Sequence, residues 1–312
     1  MKLGFLCAGQ GAQHPGMGAD LYETFPAFRE IFDAAEPGFD LKSVCFSDPD
    51  GVLTQTEYTQ PCMVAFAAGL TAVLRQQGIV PAVAAGLSLG EYSALHAAGV
   101  WDAQTAIQTV AFRGRAMAEA ARGIECAMVA VLGLGREALA QICAEVSALG
   151  VAELCNYNCP GQIVLGGESA AVNRAAELAR ERGAKRCLPL KVSGPFHTSL
   201  LKPAGDALRE FFKTVPFEAP AIPVLFNCLG REMGSADTMP GLLERQVYSS
   251  VYLEDCIRRM AELGVDAVVE IGPGRALSGF VRKTVPELPV FAVETAEEVL
   301  LLPELLKGGN RT

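Results

Sequence analysis

Between residues 126 and 192 the apolar pattern reads as a strand over 126–132, a helix over 136–148, strands over 151–156 and 162–166, a helix over 169–182 and a strand over 186–192. Two consecutive strands in the middle of that run exclude a plain strand–helix alternation. The resulting βαββαβ order is the split βαβ, or ferredoxin-like, pattern. The flanks keep a different rhythm. "KLGFLCAG" reads as a buried strand entering a glycine turn, and 17–36 follow with helical spacing. Residues 62–77 suit a helix, "PAVAAGL" a short buried strand, and "LGEYSALHAAG" a helix stopped at Gly99. "WDAQTAIQTVAFRGRAMAEAA" suits a helix capped by Asp102, with an apolar stripe of Ile107, Val110, Ala111, Gly114, Met117 and Ala118. Strands alternating with helices imply a parallel sheet covered on both faces. After 198 helical spacing returns, and "IPVLFN" and "DAVVEIGPG" read as further strands of that larger sheet. The expected chain is therefore α/β, with a small unit at 124–197 inserted into a large one formed by 1–123 and 198–312.

Half of the 312 residues are apolar, enough for a large core. The longest nearly apolar run, 61–74, is shorter than the ~18 residues that a membrane span needs. The opening "MKLGFLCAGQGAQ" turns polar too early for a secretory signal. A soluble, cytoplasmic protein with no membrane partner is expected. A net charge of −9 argues against nucleic acid as a partner, because phosphate binding needs a basic face. The ten cysteines are scattered without regular spacing and are expected to be reduced and buried. Cys155 and Cys159 lack CxxC spacing and a nearby histidine, so no metal site is expected.

In "AVAAGLSLGEYSAL" one serine stands at G-x-S-x-G spacing: Gly86, Leu87, Ser88, Leu89, Gly90. The string follows a short strand and precedes a helix, the context of a nucleophile elbow. The glycines let the chain turn sharply, and the helix start directs free N–H groups toward a developing oxyanion. A capping serine would need only one of these features.

A nucleophilic serine needs a base, and the chain has three histidines. His96 lies two helical turns past Ser88, about 12 Å along the axis, too far to meet it. It reads as a packing or surface residue. His14 sits in the glycine loop "GQGAQHPGMG", while His197 ends "KVSGPFH", beside a glycine and a proline that fix a loop after a strand. His197 is favoured and His14 stays open. Among the other glycine strings, Gly133, Gly135 and Ala138 match a dinucleotide fingerprint with Glu153 downstream, but the two consecutive strands that follow do not suit that fold.

Further strings occur in one order along nearly the whole chain. They are "GQGAQ" at 9–13, "TQPCM" at 59–63, "GLSLGEYSAL" at 86–95, "FRGRAM" at 112–117, "NCPGQIVLGG" at 158–167, "AKRCLPLKVSGPFHTSLLKPA" at 184–204, "RQVYSSV" at 245–251 and "EIGPGRALSGF" at 270–280. Together they resemble the malonyl-CoA:acyl carrier protein transacylases, which load malonyl units in bacterial type II fatty acid synthesis. The resemblance implies an α/β-hydrolase-like large subdomain with a parallel sheet and an inserted ferredoxin-like small subdomain. It implies that Ser88 attacks the malonyl thioester, that His197 takes and returns the proton, and that backbone N–H groups of Gln10 and Leu89 bind the oxyanion. It further implies that the backbone carbonyl of Gln246 orients the histidine and that Arg113 pairs with the free carboxylate of malonate. Helical spacing alone does not separate Arg113 from Arg115. The implied partners are malonyl-CoA and acyl carrier protein, and no cofactor is implied. Lys185, Arg186, Lys191, Arg282 and Lys283 are candidate basic contacts for an acidic carrier.

The chain departs from the family's pattern at Leu87, where histidine is usual, in "CAGQG" and in "YSSVYL". Phe196 before His197 resembles malonyl-selective enzymes. Two rival functions keep the fold: an acyl hydrolase acting on carrier-protein thioesters, for which Arg113 has no use, and a non-catalytic docking module, for which the whole site is superfluous.

Overall fold

The computed structural model describes residues 1–308, so the last four residues of the expected 198–312 segment, 309–312, lie outside the described residues. Among the described residues the strands are β1 (Leu3–Cys7), β2 (Val83–Gly86), β3 (Cys126–Leu132), β4 (Ala152–Cys159), β5 (Gln162–Glu168), β6 (Arg186–Pro189), β7 (Ala267–Ile271) and β8 (Val290–Val293). They form two separate sheets. The first has the order β2-β1-β7-β8 and is parallel throughout. Every residue of β1, β2 and β7 is buried, as expected of strands covered by helices on both faces.

The second sheet has the order β4-β5-β3-β6 and is antiparallel, the arrangement of a ferredoxin-like unit. The helices Arg136–Glu145 and Ser169–Glu181 cover one of its faces, around a core that includes Val131, Leu139, Ile142, Leu165 and Val172. Successive side chains of a strand point to opposite faces, and β3 uses both. Val129 and Val131 enter the small core, while Met128 and Ala130 enter the large one.

Three sequence expectations change. "IPVLFN" does not form a strand: Val224 only bridges to Ala84 at the outer edge of β2, and Phe226 to Arg231. An apolar run carries no information about whether a sheet edge has room for it. Residues 17–36 make two helices, Ala19–Thr24 and Pro26–Ala34, because Pro26 opens a new first turn. The strand expected over 186–192 is shorter and ends at Pro189; Leu190 N–H still donates to the Met128 oxygen at 2.9 Å, and the chain then leaves the sheet edge for the loop of His197.

Candidate active site

Strand β2 ends at Gly86, and the helix Gly90–Ala97 begins four residues later. Ser88 joins them with a φ of 51°, in the left-handed region that a residue with a side chain adopts only when its surroundings enforce it. Both flanking glycines are forced by close approach. A Cβ on Gly86 would lie 2.0 Å from the carbonyl carbon of Gly90, and one on Gly90 would lie 2.1 Å from the Cys7 oxygen. Two carboxamides hold the backbone of Ser88. Its N–H donates to Asn227 Oδ1 at 2.6 Å, and its C=O accepts from Gln246 Nε2 at 2.9 Å. Asn227 also donates from Nδ2 to the Gly86 oxygen at 2.7 Å and from its backbone N–H to Glu91 Oε2. One side chain thus ties the strand end and the serine together, while its own backbone fastens to the helix.

His197 also has a left-handed backbone, with φ 63°. Its Nε2 lies 2.7 Å from Ser88 Oγ and its Nδ1 lies 2.8 Å from the Gln246 carbonyl oxygen. A carbonyl only accepts, so Nδ1 carries the proton and Nε2 presents its lone pair to the hydroxyl. Burial, and then the charge of Arg113, push the imidazole pKa down to about 4, which leaves it neutral near pH 7. The choice among histidines is thereby made by contact. His96 is buried with Nδ1 3.0 Å from the Trp101 oxygen, and His14 is exposed beside Glu294 at 2.6 Å.

Arg113 projects from the helix Ala103–Ala121 and is 1 % exposed, whereas Arg115 faces solvent. Its Nη2 donates to Ser88 Oγ at 3.1 Å and to Gln246 Oε1 at 3.0 Å, and its guanidinium carbon lies 5.1 Å from the centre of the Tyr92 ring. Its Nε has no partner. No carboxylate among the described residues forms an ion pair with it. Burial lowers its pKa, yet a guanidinium stays charged in any protein interior. The site therefore contains a buried cation that no carboxylate touches among the described residues, the buried Glu91 acting on it only through space.

Gln10 and Leu89 flank the serine. Leu89 is buried at the cap of the Gly90–Ala97 helix, and its N–H makes no hydrogen bond among the described residues. The N–H of Gln10 is likewise free, while its side chain is anchored by Thr56 Oγ1 at 3.1 Å. A Cβ on Gly9 would lie 2.4 Å from the Leu87 oxygen, which is how closely the loop of Gln10 approaches the serine turn. Leu87 itself packs against the large core. Two free N–H groups beside a serine can stabilise an oxyanion on an attacked carbonyl.

Sequence reasoning missed Asn227 and Glu91. Glu91 is fully buried, its Oε1 has no partner, and burial pushes its pKa up to about 7. Its place in the first turn of a helix is an ordinary one for an acid, so nothing in the string marked it.

Comparison with known proteins identifies the family of the chain. Residues 4–311 match the family model for the acyl transferase domain. The chain is 41 % identical over 312 residues to the malonyl CoA-acyl carrier protein transacylase of Bacillus subtilis (strain 168), covering 99 % of this chain and 98 % of that one. The crystal structure of the malonyl CoA-acyl carrier protein transacylase from Clostridium perfringens superposes with a TM-score of 0.94 at 39 % identity, with 98 % of each chain covered. A malonyl-transacylase solved in complex with its type II PKS acyl-carrier protein also gives 0.94, at 37 % identity, covering 98 % of this chain and 100 % of that one. The serine turn, the histidine that meets it and the buried arginine beside both thus lie in a chain that belongs to the acyl transferase domain family and, within it, to the malonyl-CoA:acyl carrier protein transacylases.

Proposed function

We propose that the protein moves the malonyl group of malonyl-CoA to the phosphopantetheine thiol of acyl carrier protein through an ester on Ser88, supplying fatty acid chain elongation. His197 Nε2 removes the Ser88 proton as Oγ attacks the thioester carbon. The oxyanion rests on the N–H groups of Gln10 and Leu89, the C–S bond breaks, and the imidazolium returns the proton to the CoA sulfur. In the second half the carrier thiol gives its proton to His197, its sulfur attacks the ester carbon, the bond from that carbon to Oγ breaks, and the proton passes back to Ser88 Oγ. The Gln246 carbonyl keeps the imidazole in the required tautomer, so no acidic third member is needed.

The observation that carries this reading is the buried guanidinium of Arg113, 3.1 Å from Ser88 Oγ and in contact with no carboxylate among the described residues. A malonyl group brings the missing carboxylate, and the planar guanidinium suits it. A neutral acyl group leaves the cation unpaired. The exposed Lys185, Arg186, Lys191, Arg282 and Lys283 supply positive charge for an acidic carrier on a chain of net charge −9. Residues 1–123 and 198–312 form the large subdomain in this reading and 124–197 the small one. No helix among the described residues is long and apolar enough to cross a membrane, which is compatible with a cytoplasmic enzyme.

Intact-mass measurement after mixing with malonyl-CoA or acetyl-CoA, followed by carrier protein bearing its free phosphopantetheine thiol, tests the reading. A malonyl adduct on Ser88 that persists in water and moves to the carrier is expected. Rapid loss as free malonate would instead mark an acyl hydrolase, and the absence of any adduct a docking module.

A further inference from the structure

The contact between His197 and Gln246 joins two segments distant in sequence, and a single strand of the small sheet grips both. On one side Glu153, in β4, uses both carboxylate oxygens on one residue. Oε2 accepts the Ser199 N–H and Oε1 accepts the Ser199 hydroxyl, each at 2.7 Å. Ser199 follows His197 by two residues. On the other side Ser250 Oγ donates to the Leu154 oxygen at 2.6 Å, Val251 N–H donates to the Cys155 oxygen at 2.7 Å, and Tyr157 N–H donates to the Val251 oxygen at 2.8 Å. Ser250 and Val251 thus run along the outer edge of β4, shortly after Gln246, as a brief parallel pairing. Between the two grips, His197 N–H donates to the Val247 oxygen at 3.1 Å and its Nδ1–H to the Gln246 oxygen at 2.8 Å.

A left-handed histidine needs this support. The turn around it is closed by Thr198 Oγ1 on the Pro195 oxygen at 2.6 Å, but a strained φ at a residue with a side chain persists only when the surroundings over-determine it. Joining the two sheets does not by itself require Glu153. The stacked rings of Tyr157, in β4, and Tyr252, 4.9 Å apart, and the ion pair of Arg136, in the neighbouring helix, with Asp255 at 2.9 Å already fasten the small unit to the large one away from the histidine loop.

We infer that Glu153 is a positioning residue for the reaction at Ser88, its carboxylate fixing the loop that aims His197 Nε2 at Ser88 Oγ. The inference rests on the reading of His197 as the base. It gives the small sheet a part in the chemistry: β4 is the common frame from which the imidazole and the carbonyl that orients it both hang. Without the Ser199 anchor the loop relaxes toward an unstrained φ, and a displacement of the imidazole by ~1 Å is enough to slow proton transfer substantially.

The test is the single-turnover rate of malonyl-Ser88 formation, followed by rapid quench and intact mass and normalised to the final adduct, in Glu153→Ala, Glu153→Asp and Glu153→Gln. Glutamine keeps both contacts, its carbonyl accepting the Ser199 N–H and its amide donating to the Ser199 hydroxyl. Aspartate keeps the charge but falls one methylene short. Alanine and aspartate are expected to slow acylation about tenfold with the malonyl-CoA concentration dependence unchanged within about twofold, and glutamine to restore the rate to within about threefold. A merely structural role lowers melting temperature without changing the rate per reacting site. Alanine or aspartate rates within about twofold of the parent, or a glutamine variant as slow as alanine, overturn the inference. A parent protein that forms no Ser88 adduct overturns the acyl-transfer reading itself, and so the two failures are distinct.

Discussion

Arg113 Nη2 and Ser88 Oγ stand 3.1 Å apart, so the guanidinium donates to the same oxygen that His197 Nε2 meets at 2.7 Å. In the free protein the hydroxyl gives its proton toward the imidazole and offers a lone pair to a cation. A substrate carboxylate competes for that cation and frees the lone pair for attack, whereas a neutral acyl group does not. Discrimination between acyl groups then appears in the rate of acylation as well as in affinity. For Arg113→Ala the ratio of kcat/KM for malonyl-CoA over acetyl-CoA should fall about a hundredfold, the equivalent of leaving a buried charged group unpaired. Most of the fall should come from malonyl-CoA. An unchanged ratio, measured with both thioesters on one preparation, would remove Arg113 from substrate selection.

The depressed pKa of His197 sets the acid limb. The imidazole must be neutral to accept a proton, and it remains so down to about pH 4. Acylation is therefore expected to be flat from pH 8 to about 5 and to fall about tenfold per pH unit below 4. A pH–rate profile breaking near 6.5 would contradict this. Stability follows the same group. The unfolded chain takes up the proton near pH 6.5 and the folded one only near 4, so the contribution is present above 6.5 and is lost as pH falls through that window. It amounts to about 3 kcal/mol.

Glu91 has the opposite sign. Its folded pKa of about 7 lies above the unfolded value, so its contribution is complete below about 4.5 and is lost as pH rises through 7. Glu91→Gln abolishes that dependence. Denaturant unfolding of parent and variant should show the difference moving in favour of glutamine by about 3 kcal/mol between pH 4.5 and 8. A constant gap would mean that Glu91 does not titrate there.

Asn227→Ala leaves the part-buried Ser88 N–H without its acceptor and cuts the tie to Gly86. The expected loss is about 1–3 kcal/mol of support for the strained serine, read as about ten- to a hundredfold slower acylation of folded protein. Normal acylation in that variant would show that the glycine frame alone holds the turn.

Gly86→Ala places a Cβ against backbone that cannot yield, and little folded protein is expected. Gly99→Ala is the contrast. Gly99 has a φ of 82° but open space around it, so only backbone strain is added, about 1–2 kcal/mol, and the protein should remain folded. Soluble yield and circular dichroism of the two variants separate close approach from conformational freedom.

The parts of the site written in one short string were legible in the sequence. Gly86, Ser88 and Gly90 form a local geometry, and the βαββαβ rhythm is local as well. Asn227 was not legible, because its partners Gly86, Ser88 and Glu91 lie 136 to 141 residues away and "FNCLG" looks like the end of a strand. Arg113 and Arg115 flank one stripe, and only the packing of the helix decides that the first is buried and the second exposed. The Gly90–Ala97 helix is buried all round, so it has no polar face for a pattern to reveal.

Strand β3, with Met128 and Ala130 in one core and Val129 and Val131 in the other, acts as a party wall between two rooms. Swinging the small sheet away from the large one would pull Met128 and Ala130 out of close packing, and sliding it by one residue would exchange the two sets of side chains. Neither hinge nor shear is cheap at this wall. The small sheet is therefore seated once, as the chain folds, and its place on the large core is fixed before any substrate arrives.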